Sequence, residues 1–136
     1  MVLPGDTNSL GTAFGGKIMQ WIDVAAAVAA RRHAGGVAVT MSMDSLTFHR
    51  PIRLGDVVVL RSSVNRVWRT SMEVGVRVDS EPEAGPRVHA ASAYLTFVAV
   101  DPSGRPRPVA PLAPETPEEH RRCEDAARRR IRRLEK

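Results

Sequence analysis

Asp23 is the residue of this sequence best placed to do chemistry, because it interrupts a stretch from Gly16 to His33 that is otherwise rich in alanine and aliphatic residues. A carboxylate in such surroundings costs free energy unless it is paired, hydrated or put to use. Two glycines, Gly15 and Gly16, open the stretch. At a helix start the backbone N–H groups lack intrahelical acceptors, and the helix dipole adds partial positive charge there. An acyl carbonyl at that end would be polarised as in an oxyanion hole. Glycine, with no Cβ, also lets a bulky acyl group come close. Asp23 lies two helical turns beyond Gly16, on much the same face. A plainer possibility stands beside this one: Asp23 sits at the edge of the apolar stripe, solvated or paired with a neighbouring arginine.

These groups need elements to hold them. Asp6 to Gly15 is rich in Gly, Asn and Thr and predicts an irregular segment. Gly16 to His33 predicts a helix, stopped by Gly35-Gly36. At roughly 100° per residue, Ile18, Ile22, Ala25 and Ala29 form one narrow stripe, with Met19 and Ala26 beside it. Lys17, Gln20 and Arg31 fall opposite. With so few polar positions the helix is expected to be largely buried.

Val37 to Phe48 predicts a strand with Val37, Val39, Met41 and Met43 on one face, after which Leu46 and Phe48 continue on the other parity. That change of phase predicts a bulge near Asp44-Ser45. Leu54-Gly55-Asp56 turns into a second strand, Val57 to Val67. Met72, Val74, Val76 and Val78 alternate with Glu73, Gly75, Arg77 and Asp79, as in a sheet with one wet face. Val88 to Val100 is the last strand. One buried helix and consecutive long strands predict an α+β fold, an antiparallel sheet wrapped on the helix. Pro106 to Pro117 holds five prolines and predicts an extended linker. The domain is therefore expected over residues 1–108, with 109–136 a linker and a detachable basic helix or tail.

At 136 residues, with 43% hydrophobic and 26% charged residues, the chain is of ordinary size and composition for one globular domain. The formal charge of +5 comes from residues 121–136, where seven Arg and one Lys face three acids. The remainder balances, so no basic surface for nucleic acid is evident. No apolar run reaches the roughly 20 residues of a membrane span, and no signal-like start is present. One cysteine, Cys123, excludes an internal disulfide framework and any multi-cysteine zinc site. The cytoplasm is the expected compartment.

The pattern Asn8-x-x-Gly11-x-x-x-Gly15-Gly16-x-x-Met19-x-Trp21-x-Asp23 resembles the signature of the hotdog-fold acyl-CoA thioesterases, the acyl-CoA hydrolases related to YciA and the brain-type hydrolase. The similarity continues through Leu46 to Asp56 and ends around Leu95 to Asp101. The resemblance implies a sheet curled around a central helix. It also implies dimers paired along the sheet with active sites at their interface, and further assembly, often into hexamers.

By resemblance Asp23 is the general base that activates water, or the nucleophile of a transient anhydride. Asn8 of the partner subunit then orients water or thioester, and backbone N–H at Gly15 or Gly16 stabilises the oxyanion. No metal or cofactor is implied, CoA being part of the substrate. Members of this group carry more chain before the motif, so a first edge strand is expected to be trimmed, or the recorded start not to be the native one.

Phosphate recognition needs cations. Arg69-Thr70-Ser71, at the turn into the third strand, matches the place where such enzymes put CoA contacts, with Arg50 a further option. Arg53 and Arg66 read as solvated surface. Asp44-Ser45 either lines the acyl or pantetheine channel or satisfies the bulge. The four histidines share no metal-like spacing, and Ser42 and Ser71 lack a nucleophile-elbow context. Three rivals remain: a hotdog dehydratase, which would want a histidine base; a non-catalytic acyl-CoA sensor; and a nucleic-acid binder resting only on the arginine-rich tail, a composition more often found in solvated helices.

Overall fold

The computed structural model describes residues 1–135. After a 3-10 turn at Pro4–Asp6 come α1 (Gly15–Ala34), β1 (Ala38–Phe48), β2 (Val57–Val67), β3 (Ser71–Glu81), β4 (Val88–Ala99) and α2 (Pro117–Leu134). The four strands form one antiparallel sheet in the order β1-β4-β3-β2. Short connections make β2–β3 and β3–β4 hairpins, and β1 takes the free edge of β4. This is the α+β arrangement the sequence predicts.

Alternation decides which side of the sheet α1 covers. Met72, Val74, Val76 and Val78 of β3 and Ala91, Ala93, Leu95, Phe97 and Ala99 of β4 all point to one buried layer. Ile18, Ile22, Ala26 and Ala30 of α1 meet them. Burying a side chain the size of Ile22, which has no exposure, contributes about 1.5–3 kcal/mol. Gly35 takes the left-handed conformation and ends the helix as expected.

Three expectations need correction. First, α1 is only half covered within one chain: Val24 is 60% exposed, and Met19 and Val28 are 44% exposed. The stripe is also rotated slightly, onto Ala26 and Ala30. Second, β1 slips register against β4 twice, between Thr40 and Ser42 and between Met43 and Ser45. The predicted bulge is the second of these. The first puts Met43 on the core side, away from Val39 and Met41, which stay exposed.

Third, the far side of the sheet is not wet along its length. The arginine-rich segment lies across it as α2, with Thr116 capping its start through Glu119 N–H. Glu73 is buried beneath it instead of solvated, and Asp79, bonded to Arg77, is buried further along β3. Among the described residues no helix is long and apolar enough to cross a membrane.

Candidate active site

The loop before α1 is shaped by Asn8. Its Oδ1 accepts the N–H groups of Leu10 (2.9 Å) and Thr12 (3.3 Å), and its Nδ2 donates to Thr12 Oγ1 at 3.0 Å. Gly11 permits the turn by adopting a positive φ. Bonds from Ala13 N to Ile52 O (2.7 Å) and from Leu54 N to Gly11 O (3.0 Å) pin this loop to the segment after β1.

Between them lies a cavity of about 380 Å³ lined by Thr12, Gly15, Ile18, Phe48, Arg50 and Ile52. Among the described residues no side chain caps the start of α1. The first-turn amides at Gly15 and Gly16 therefore remain available to an acceptor. A Cβ built on Gly15 would be 4.0 Å from the Phe48 ring, and one on Gly16 would be 3.2 Å from Phe14.

Two turns along, Asp23 is partly exposed on the flank of α1 that faces β1. Thr40 Oγ1 donates to its Oδ1 at 2.7 Å. A charge-assisted bond of that length fixes the carboxylate's orientation and leaves Oδ2 open. Sequence patterning does not single out Thr40. Simple alternation places Val39 and Met41 on the core side and so turns Thr40 toward solvent. The register slip after Thr40 reverses that placement, and nothing in the local sequence signals a bulge there.

The remaining candidates divide. Arg50 lines the same cavity as Gly15. Asn8 is exposed, and its side-chain partners all lie within its own loop, so one chain does not join it to Asp23. Arg69, Thr70 and Ser71 occupy the β2–β3 turn, at the same end of the sheet as Thr40 because Ser71 aligns with Val98 and Val98 with Val39. None of the three lines the cavity. Arg69 is exposed, and Ser71 Oγ accepts from Arg130 Nη1 at 3.4 Å. Ser45 sits apart, in a space of about 530 Å³ with Tyr94, Arg129, Arg132 and Arg133. Arg53 is exposed as expected, but Arg66 is not a solvated residue: its Nη1 donates to Cys123 O of α2 at 3.2 Å. The His49 and His89 rings are in contact, their centroids 4.6 Å apart and their planes tilted by 44°.

A helix start that polarises a carbonyl, an apolar cavity beside it and a held carboxylate on the same helix suit attack on an acyl group. Comparison with known proteins agrees with that chemistry. A model of the Thioesterase superfamily matches residues 10–86. The chain is 49% identical over 119 residues to YkhA of Bacillus subtilis, named as an uncharacterized acyl-CoA thioester hydrolase, covering 87% of this chain and 69% of that protein. It spans only 34% of the mouse cytosolic acyl coenzyme A thioester hydrolase, at 37% identity over 92% of its own length.

Among solved structures, an apo-hexameric acyl-CoA thioesterase superposes with a TM-score of 0.95 at 46% identity, covering 99% of this chain and 87% of that one. An acyl-CoA hydrolase of Staphylococcus aureus, solved with butyryl coenzyme A and coenzyme A, gives 0.89 at 39%, covering 99% and 85%. Alanine variants of that Staphylococcus enzyme replace an Asn, an Asp and a Thr, in that order along its chain. Asn8, Asp23 and Thr40 are the same residue types, separated by the same two intervals.

Proposed function

This chain belongs to the Thioesterase superfamily, among its acyl-CoA thioester hydrolases, and we propose that it cleaves the thioester of acyl-CoA at Asp23. The single observation that carries the assignment of Asp23 is its Thr40 hydrogen bond, two helical turns from the uncapped Gly15-Gly16 start. The thioester oxygen takes the first-turn amides of α1, where negative charge developing on it is stabilised. The carboxylate of Asp23, oriented through Oδ1 by Thr40, uses Oδ2 to take a proton from water. The water oxygen bonds to the carbonyl carbon, the C–S bond breaks and the thiol leaves with the proton. Attack by Asp23 itself, through an anhydride that water then opens, starts from the same ionised group. Neither route uses a metal or a cofactor.

The second half of the site comes from another copy. β1 is an unpaired edge with Val39 (41%), Met41 (64%) and Phe48 (50%) exposed, and such an edge invites pairing with another strand. Pairing two copies of β1 about a two-fold axis brings Asn8 of the partner subunit to Asp23, where it orients water or thioester. The hexameric state of the superposed thioesterase supports further assembly of such dimers. Arg50, beside the cavity mouth, and Arg69-Thr70-Ser71 are the proposed CoA contacts.

Thiol release from an acetyl- to palmitoyl-CoA series, followed with a thiol reagent, tests this function. Turnover on at least one member is expected. Tight CoA binding with no turnover on any of them would favour the sensor instead.

A further inference from the structure

β1 departs from regular pairing twice within a few residues, so Met41 and Asp44 are both extra relative to β4. The first slip adjoins Thr40, whose hydroxyl holds Asp23. β1 is also the free edge, so among the described residues of the chain only β4 pairs with its backbone. Two bulges so close together re-aim the side chains of β1, and a side-chain clip at the bulge fixes that aim whether or not a second copy also pairs with the strand.

Asp44 supplies it. Its Oδ1 accepts from Ser42 Oγ at 2.7 Å, and its Oδ2 accepts from Thr96 Oγ1 and from Arg133 Nη1, each at 3.0 Å. One carboxylate thus ties the second bulge to its own strand, to β4 and to α2. The Arg133 and Asp44 side chains are only 20% and 21% exposed. By contrast, both side chains of the Arg121–Glu118 pair on α2 lie mostly in solvent, where ion pairs hold little.

We propose that Asp44 is a positioning residue for hydrolysis: clipped to Thr96 and to Arg133 of α2, it fixes the twice-bulged strand that presents Thr40 to Asp23. This rests on the assignment of Asp23 and Thr40 above. The C-terminal helix thereby acts on the Asp23 carboxylate through Asp44 and β1, apart from its own contact with Ser71 through Arg130. Losing the clip loosens the aim of the carboxylate and leaves the cavity wall at Gly15, Ile18 and Ile52, none of them on β1, in place, so the effect falls on kcat more than on KM.

The test measures kcat and KM of the full chain for Asp44→Ala, Asp44→Asn, Arg133→Ala, Thr40→Ala and the Asp44→Ala/Thr40→Ala double variant, with thermal unfolding alongside. A misplacement of about 1 Å can cost up to about 100-fold, so Asp44→Ala is expected to lower kcat by about tenfold or more with KM near wild type. Asp44→Asn keeps one acceptor oxygen for Thr96 and Arg133 and turns its amide N–H toward the Ser42 hydroxyl, which then accepts, so it recovers most of the rate. Arg133→Ala, which leaves β1 untouched, shows part of the loss and serves if Asp44→Ala does not fold. Because Asp44 acts through Thr40, its replacement adds little once Thr40 is alanine. Multiplying losses, or wild-type kcat in folded Asp44→Ala beside a crippled Thr40→Ala, would overturn the clip and leave the site assignment standing. Wild-type turnover in Thr40→Ala would remove both.

Discussion

Arg129 on α2 places Nε and Nη2 each 2.8 Å from a carboxylate oxygen of Glu73, a residue with no exposure on the far side of β3. Asn65 Nδ2 adds a bond to Oε2 at 3.2 Å, and the Arg129 guanidinium lies 3.7 Å from the centroid of the Tyr94 ring. Burial acts to lower the pKa of Arg129. Its hydrogen bonds and charge attraction to Glu73 outweigh that and hold it above the ordinary value. The helix is therefore fastened to the sheet by a desolvated fork-to-fork pair.

Removing one member of such a pair leaves an uncompensated buried charge, which typically costs about 3–5 kcal/mol. Arg129→Ala is expected to lower unfolding free energy by that order in urea titrations. Exchanging both residues for leucine should restore much of it. Equal stability of Arg129→Ala and the parent chain would show that α2 does not bear on the sheet.

Gly15 has room for a side chain as far as the fold is concerned, since its Cβ would meet only Phe48 at 4.0 Å. Alanine there should keep or slightly raise stability, glycine being about 0.8–1 kcal/mol poorer in helices. A larger side chain intrudes on the cavity and the carbonyl-binding amides. Gly15→Val is expected to fold and to lose about 100-fold in kcat/KM, the scale of a lost oxyanion contact. Unchanged turnover in Gly15→Val would place the carbonyl elsewhere.

Asn8 and Asp23 are proposed to meet only across two chains. Asn8→Ala and Asp23→Ala should each be impaired alone. When the two are unfolded together and reassembled, half the dimers carry one intact site, returning about a quarter of parental turnover by the symmetry of a two-fold interface. Activity no greater than that of the separate variants would argue for a site within one chain.

Asp101 ends β4 in a tight turn. Its carboxyl is held below 3.8 chiefly by the Ser103 hydroxyl, and further by the Arg105, Ser103 and Gly104 amides. Its folded value is depressed, so its contribution to the turn is fully present above the unfolded carboxylate pKa. That contribution is lost as pH falls through the lower folded value. Ser103→Ala removes the largest cause, and NMR titration of Asp101 should move up toward 3.8; an unmoved midpoint would discount the hydroxyl.

The layout of β2, β3 and β4, the end of α1 at Gly35 and the slip beside Asp44 were legible because each rests on local alternation or a local backbone requirement. Asp23 stood out for the same reason, a charge within an apolar run. Thr40 did not, because its direction depends on a bulge set by pairing with β4. Glu73 read as solvent-facing because its cover, α2, is distant in sequence and carries its contacts on arginines that by composition suggest a wet helix. Asn8 was found only through family resemblance, and its bonds in one chain explain the loop rather than the chemistry.

Hydrolysis through the carboxylate of Asp23 is the central claim, and single-turnover thiol release from acyl-CoA by Asp23→Ala tests it most directly. The variant should match the parent in oligomeric state, retain CoA binding and lose about 100-fold or more in rate, as expected when a positioned acid–base group is removed. Turnover near the parental rate in a folded, assembled Asp23→Ala protein would contradict it.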